Sequence, residues 1–236
     1  MTTGAWLARP QGPVDYDAAN AAMHDLARRR LAGEIGDGVI LLEHPPVFTA
    51  GRRARTDELL WPEHEVEARG GIVRAIDRGG AYTFHGPGQL VVYPILHLGA
   101  VPDASRFLRN LEQVVIDAAG EVGVTLERRD DVQTGVWHGD DKVCAIGVRL
   151  LRTRVTLHGF GLNCDTDLSW FRGIVACGLP AHGVTSLSEI AGRRVTVQEM
   201  RPIVERHLAH TFDLTFTPAS ADVTAGLTSG AVSGVA

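Results

Sequence analysis

The sequence predicts an α+β fold: helices packed on a mixed or antiparallel sheet, in one domain or one domain with a small lobe. Three observations predict it. Segments 15–32, 103–123 and 196–212 carry apolar residues at helical spacing. Apolar stretches of strand composition lie between them without the regular strand–helix alternation of a parallel doubly wound sheet. No G-x-G-x-x-G turn or Walker loop is present, so neither nucleotide-binding α/β signature applies.

In chain order, Trp6 and Leu7 mark an extended start. Asp15 to Ala32 reads as a helix with Tyr16, Ala19, Met23, Leu26 and Leu31 near one face and Arg28 to Arg30 toward water. Val39 to Glu43 reads as a short buried strand, closed by His44, Pro45 and Pro46 because proline cannot continue a ladder. The following VFTAGRRARTDELL reads as a loop or short turn. Gly71 to Asp77 and Leu90 to Leu96 have strand composition, with Pro94 pointing to an edge or a bulge. Between them, Arg78 to Gln89 holds four glycines and a proline, a density suited to backbone that must approach a ligand or another strand closely. Two tight turns around an inward-packing pair, Tyr82 and Phe84, would explain it equally well.

Asp103 to Gly123 is the clearest helix, with Asp103 as cap, Phe107, Leu111, Val114, Val115, Ala118 and Val122 on one face, and Gly123 as stop. VQTGVWHGDD reads as a short strand and turn into Lys142, and the chain from there to Cys177 as strands broken by glycines. Thr196 and Glu199 form a capping box for a last helix bearing Val197, Met200, Val204, Leu208 and Phe212. After Pro218 the composition collapses to Ala, Ser, Thr, Gly and Val, so a folded domain over 1–217 and a disordered tail over 218–236 are expected.

Composition narrows the function. A net charge of −5 over 236 residues argues against a general nucleic-acid binder. No apolar run approaches the ~20 residues of a membrane span, and MTTGAWLARPQG lacks a secretory signal, so a cytoplasmic protein with no membrane partner is expected. Three cysteines without a CxxC pair give neither a disulfide framework nor a zinc site.

All three cysteines and the only lysine fall within the 36 residues from Lys142 to Cys177. The other 22 of 23 basic side chains are arginines, whose guanidinium cannot trade a proton near neutral pH, whereas an amine can. A cysteine nucleophile must be a thiolate, and a neighbouring cation or proton acceptor makes it one at neutral pH. Cys177 sits in IVACGL, where Gly178 lets the chain turn and expose the sulfur. Cys144 alternates with apolar neighbours and reads as core, and Cys164, in GLNCDTD, reads as structural. His85 and His158 add polar groups of structural or functional use.

Four blocks, RGGAYTFHGPGQLVVYP, KVCAIGV, HGFGLNC and the CG of VACGL, follow in order and at matching separations the signature blocks of the bacterial lipoyl(octanoyl) transferases. The resemblance extends from about Leu41 to about Leu187. It implies the biotin/lipoate protein ligase fold, with a mixed, largely antiparallel sheet flanked by helices. It implies an acyltransferase that moves octanoyl from acyl carrier protein to a lysine of the lipoyl domains of 2-oxoacid dehydrogenase complexes or of the glycine cleavage H protein. Carried over by residue, the nucleophile matches Cys177 and the acid/base matches Lys142. Acyl-binding positions match Arg78, Gly79, Gly80, Ala81, Tyr82, Thr83, Phe84 and His85, then Ala145, Ile146 and Gly147, then Gly159, Phe160 and Gly161. No metal and no cofactor are implied. The family often has proline before the nucleophile, whereas this chain has Ala176.

Three other readings share these residues: an ATP-dependent lipoate ligase, which would not need Cys177; an acyl-thioesterase, in which water intercepts the acyl-enzyme; and a non-catalytic acyl-binding protein. For an acidic carrier-protein donor, Arg52, Arg53, Arg149, Arg152 and Arg154 are the candidate contacts.

Overall fold

A computed structural model describes residues 2–129, 132, 134–152, 154–178 and 181–227; the side chain of Cys177 lies outside the description. The strands are β1 (Thr3–Ala8), β2 (Asp37–Leu42), β3 (Val47–Ala50), β4 (Ile72–Ala75), β5 (Tyr82–His85), β6 (Gln89–Ile95), β7 (Gly135–His138), β8 (Asp141–Leu151), β9 (Val155–Asn163), β10 (Gly183–Val184) and β11 (Leu214–Pro218). The helices are α1 (Tyr16–Ala32), α2 (Glu63–Ala68), α3 (Ala104–Glu121), α4 (Leu187–Ala191), α5 (Val197–Thr211) and α6 (Ala221–Thr224). Seven strands run β10-β8-β9-β6-β2-β1-β11 across one sheet, with β7 also on β8; β4-β3-β5 form a second, small sheet. The central pairs β2/β6, β6/β9 and β8/β9 are antiparallel, while β1/β2, β1/β11 and β8/β10 are parallel.

Both faces of the large sheet are covered, and strand alternation sorts the side chains between them. Val39 and Leu41 of β2, with Leu90 and Val92 of β6, join the core built by Phe107, Leu111, Val115, Met200, Val204 and Leu208 of α3 and α5. Ile40, Leu42, Val91, Tyr93 and Ile95 face the opposite core, under Ala19, Met23 and Leu26 of α1. The N-terminal caps form as expected, except that the Glu199 carboxylate pairs with Arg193 rather than closing a capping box. Carboxylate oxygens of Asp15 and Asp103 accept from the N–H groups of Ala18 and Arg106, and the Thr196 hydroxyl accepts from Glu199 N–H.

Three expectations need correction. The stretch from Val47 is not loop but β3, paired with β4 on one side and β5 on the other, and β5 itself lies within the glycine-dense segment. The expected loose tail is ordered as far as Leu227: Val223 and Leu227 are buried against α1, and Asp222 holds Arg29 at 2.6 Å. Residues 228–236 lie outside the described part. Pro94 marks no edge, since β6 is central. Having no N–H, Pro94 interrupts the β6/β9 ladder opposite His158, which takes a left-handed backbone, φ 60°. The Thr156 hydroxyl fills the gap, donating to Pro94 O at 2.6 Å and accepting from Leu96 N–H at 2.9 Å.

Candidate active site

A cavity of about 450 Å³ lies between the small sheet, β8, β9 and the N-terminal part of α3, within the range of small-molecule sites. The three sequence blocks converge on it from three strands: Arg78–His85, Ala145–Gly147 and Gly159–Gly161 line its walls, with the exception of Phe84. Phe84 is corrected by alternation in β5. Thr83 and His85 face the cavity, whereas Phe84 turns to an aromatic cluster, stacked on Trp170 at 5.3 Å and edge-on to Phe48 and Phe171.

Several glycines serve neighbouring protein atoms. A Cβ on Gly161 would lie 2.6 Å from Gln89 Oε1, and one on Gly159 would lie 2.1 Å from the carbonyl oxygen of Val92. Arg78 is similarly engaged. Its Nη2 donates to the carbonyl and hydroxyl of Thr49, and its Nη1 to Gly79 O, so these donors pin the loop whose backbone forms the wall.

Lys142 lines the cavity near the start of β8, with only 5% of its surface exposed. Its Nζ lies 4.5 Å from the centroid of the Trp137 ring. Cys177 lies in a single 3-10 turn, Ala176–Gly178, pinned by Val175 N–H on Glu58 O (2.8 Å) and closed by Gly178 N–H on Val175 O (3.0 Å). Gly178 takes φ 68°, and a Cβ there would be 3.4 Å from Cβ of Ala81, which places the turn at the cavity wall. Six residues after Cys177 the chain enters β10, whose Val184 pairs with Lys142. The backbone after Cys177 thus returns to the strand that carries Lys142. Cys144 and Cys164 are fully buried, as their neighbours in the sequence indicated, and burial pushes the Cys164 thiol up.

Sequence reasoning missed the cavity residues supplied by other elements, among them Tyr16 of α1, Tyr93 of β6, Leu108 and Arg109 of α3, and Arg129. Tyr16 and Leu108 differ locally in no way from core residues. Beside the cavity, the Gln89 amide donates to Phe84 O and Asn163 Oδ1, which leaves its oxygen to accept from Nδ1–H of His85 at 2.6 Å. His44 donates from Nδ1 to Val14 O and accepts the Tyr93 hydroxyl at Nε2, both at 2.8 Å. His158 donates from Nε2 to Asp77 at 2.7 Å. His24, Asp77 and His158 are of metal-ligating type, but the Arg149 guanidinium closes on the same carboxylate and already balances its charge.

Burial holds these histidines neutral: His44 is pushed down to about 4, and His85 and His158 to about 3, with neighbouring cationic and histidine side chains adding to the fall for the last two. Unfolding releases them to the ordinary value near 6.5. Their contribution to stability is complete above that value and is lost as the pH falls from about 6.5 toward 4 and 3. At pH 5 the unfolded state therefore binds about three more protons through these groups, a slope of about 4 kcal/mol per pH unit. Denaturant titrations should show stability falling ever more steeply as the pH is lowered from 7 to 5; a flat profile would contradict neutral burial.

The fold places the chain with the lipoate and biotin protein ligases. A solved lipoate-protein ligase A bound with ATP superposes with a TM-score of 0.74 at 12% identity, over 96% of this chain and 93% of that one. The biotin protein ligase of Aquifex aeolicus, in complex with biotin and ATP, gives 0.53 at 13% identity, over 89% and 70%. Residues 15–209 match the lipoyl protein ligase A/B catalytic domain, and the octanoyltransferase of Acidothermus cellulolyticus is 48% identical over 202 residues, 84% of this chain and 87% of that protein. The chain belongs to the lipoyl protein ligase A/B catalytic-domain family and, within it, to the octanoyltransferases, which are acyltransferases. Among the described residues no helix is long and apolar enough to cross a membrane.

Proposed function

We propose that the protein transfers an octanoyl group from acyl carrier protein to a lysine of lipoyl domains, those of 2-oxoacid dehydrogenase complexes and of the glycine cleavage H protein, through a thioester on Cys177. The observation that supports the reading is that Lys142 lines the cavity and pairs with Val184 of β10, seven residues after Cys177, while Gly178 lies against Ala81 of the same cavity. Lys142 accepts the Cys177 thiol proton, and the thiolate attacks the carbonyl carbon of the donor thioester. The tetrahedral oxyanion is met by backbone N–H groups at the rim. Collapse breaks the bond to the phosphopantetheine sulfur, which leaves with the proton held by Lys142. In the second half the acceptor amine attacks the Cys177 thioester, Lys142 removes its proton, and the cysteine sulfur is expelled. The amide product makes this half downhill.

Arg78, Gly79, Gly80, Ala81, Tyr82, Thr83 and His85, with the β8 and β9 blocks, form the acyl-binding walls. Among the arginines expected to meet an acidic donor, Arg53 lines the cavity and Arg149 is engaged by Asp77, so the donor contact is assigned to the Arg53 side of the rim. These partners place the reaction in the cytoplasm.

The same fold carries ATP-dependent ligases, so the fold does not choose between the two chemistries. Transfer from octanoyl carrier protein to an apo lipoyl domain is expected to proceed without ATP, with no use of free octanoate. A requirement for ATP and free octanoate would replace this reading with that of a ligase.

A further inference from the structure

Lys142 is almost fully buried, yet among the described residues its ammonium makes no ion pair and no hydrogen bond to a side chain. The group that meets it is the π face of Trp137, 4.5 Å from Nζ to ring centroid. This contact is not a by-product of regular pairing. A bulge between Val136 and Trp137 shifts the β7/β8 register, so that Val136 faces Cys144 while Trp137 faces Lys142 rather than Val143. Directly opposed residues share a sheet face, so the shift carries the indole to the lysine's side. The Trp137 backbone is then fixed from its other edge by paired hydrogen bonds with Glu127, both 2.9 Å. The ring is fully buried and held edge-on by His182 at 5.4 Å, and among the described residues no acceptor meets its Nε1–H. Gly135 completes the arrangement, since a Cβ there would lie 3.2 Å from Cε of Lys142.

We infer that Trp137 is a positioning residue of the active site, whose ring, aimed by the β7 bulge, holds the Lys142 amine at the cavity rim by a cation–π contact. The aromatic face stabilises an ammonium without offering a carboxylate, which would compete for the proton that Lys142 must give and take. The catalytic consequence rests on the proposed acid/base role of Lys142; the positional claim does not.

The single lysine makes the test direct. Protein grown with ¹³Cε-labelled lysine gives one Cε–Hε correlation, which is expected well upfield of the free amino acid because of the Trp137 ring current. The upfield shift should shrink in Trp137→Phe and vanish in Trp137→Leu. Octanoyl transfer should fall about two- to thirtyfold in kcat for Trp137→Leu, with KM for the lipoyl domain unchanged and most of the rate restored by Trp137→Phe. An unshifted wild-type resonance overturns the inference, as does full activity in a folded Trp137→Leu protein. Should Trp137→Leu fail to fold, the wild-type and Trp137→Phe resonances decide the matter. Full activity of Lys142→Arg would instead overturn the proton-transfer role of Lys142 and leave the ring-current result standing.

Discussion

Incubation with octanoyl carrier protein is expected to add a single acyl mass to the protein, on Cys177, and an apo lipoyl domain should discharge it. Cys177→Ala should form no adduct and lose turnover altogether, because no second thiol can substitute. Cys144 and Cys164 are fully sealed in the core, and burial raises the Cys164 thiol far from the thiolate form that nucleophilic attack requires. Cys144→Ala and Cys164→Ala should therefore keep the adduct and lose only about 1–2 kcal/mol of packing stability. Intact-mass and peptide-mapping measurements check all four proteins. An acyl group on either buried cysteine, or none on the wild type, would refute the proposed thioester.

The second large effect is expected at Lys142. Arginine is a cation of similar reach, so an electrostatic role alone would survive Lys142→Arg. A group that accepts and returns a proton in each half-reaction would not, because guanidinium stays protonated. Lys142→Arg is expected to fail nearly as badly as Lys142→Ala, by about 10²–10⁴-fold in octanoyl transfer, the ordinary contribution of a general acid–base. Single-turnover acylation and deacylation rates, measured on variants with unchanged far-UV spectra, decide between the two roles. Near wild-type rates for Lys142→Arg would leave only electrostatic assistance.

The amphipathic helices were legible from spacing and capping chemistry, since i, i+3, i+4 periodicity and a cap need no distant partner. A lysine kept in a chain otherwise served by arginines, and a cysteine set before a glycine, were legible for a similar reason: residue type alone limits their chemistry. The sequence determined the α+β class, the core position of Cys144, and the blocks that would meet at a site. It could not determine β3 and β5, four-residue strands too short for a period, whose pairing joins residues as far apart as Val47 and His85. Without β5 the alternation that turns Phe84 away from the cavity was invisible. Nor could local pattern show that Val223 and Leu227 close over α1, because their partners lie about 200 residues upstream. Tertiary structure alone decided the rest. Tyr16 and Tyr93 reach the cavity from elements that look like ordinary core, and a one-residue register shift in β7 turns an unremarked tryptophan toward the lysine. Local sequence fixes what a side chain can do; its neighbours across the sheet, set by pairing and packing over the whole chain, fix whether it is placed to do it.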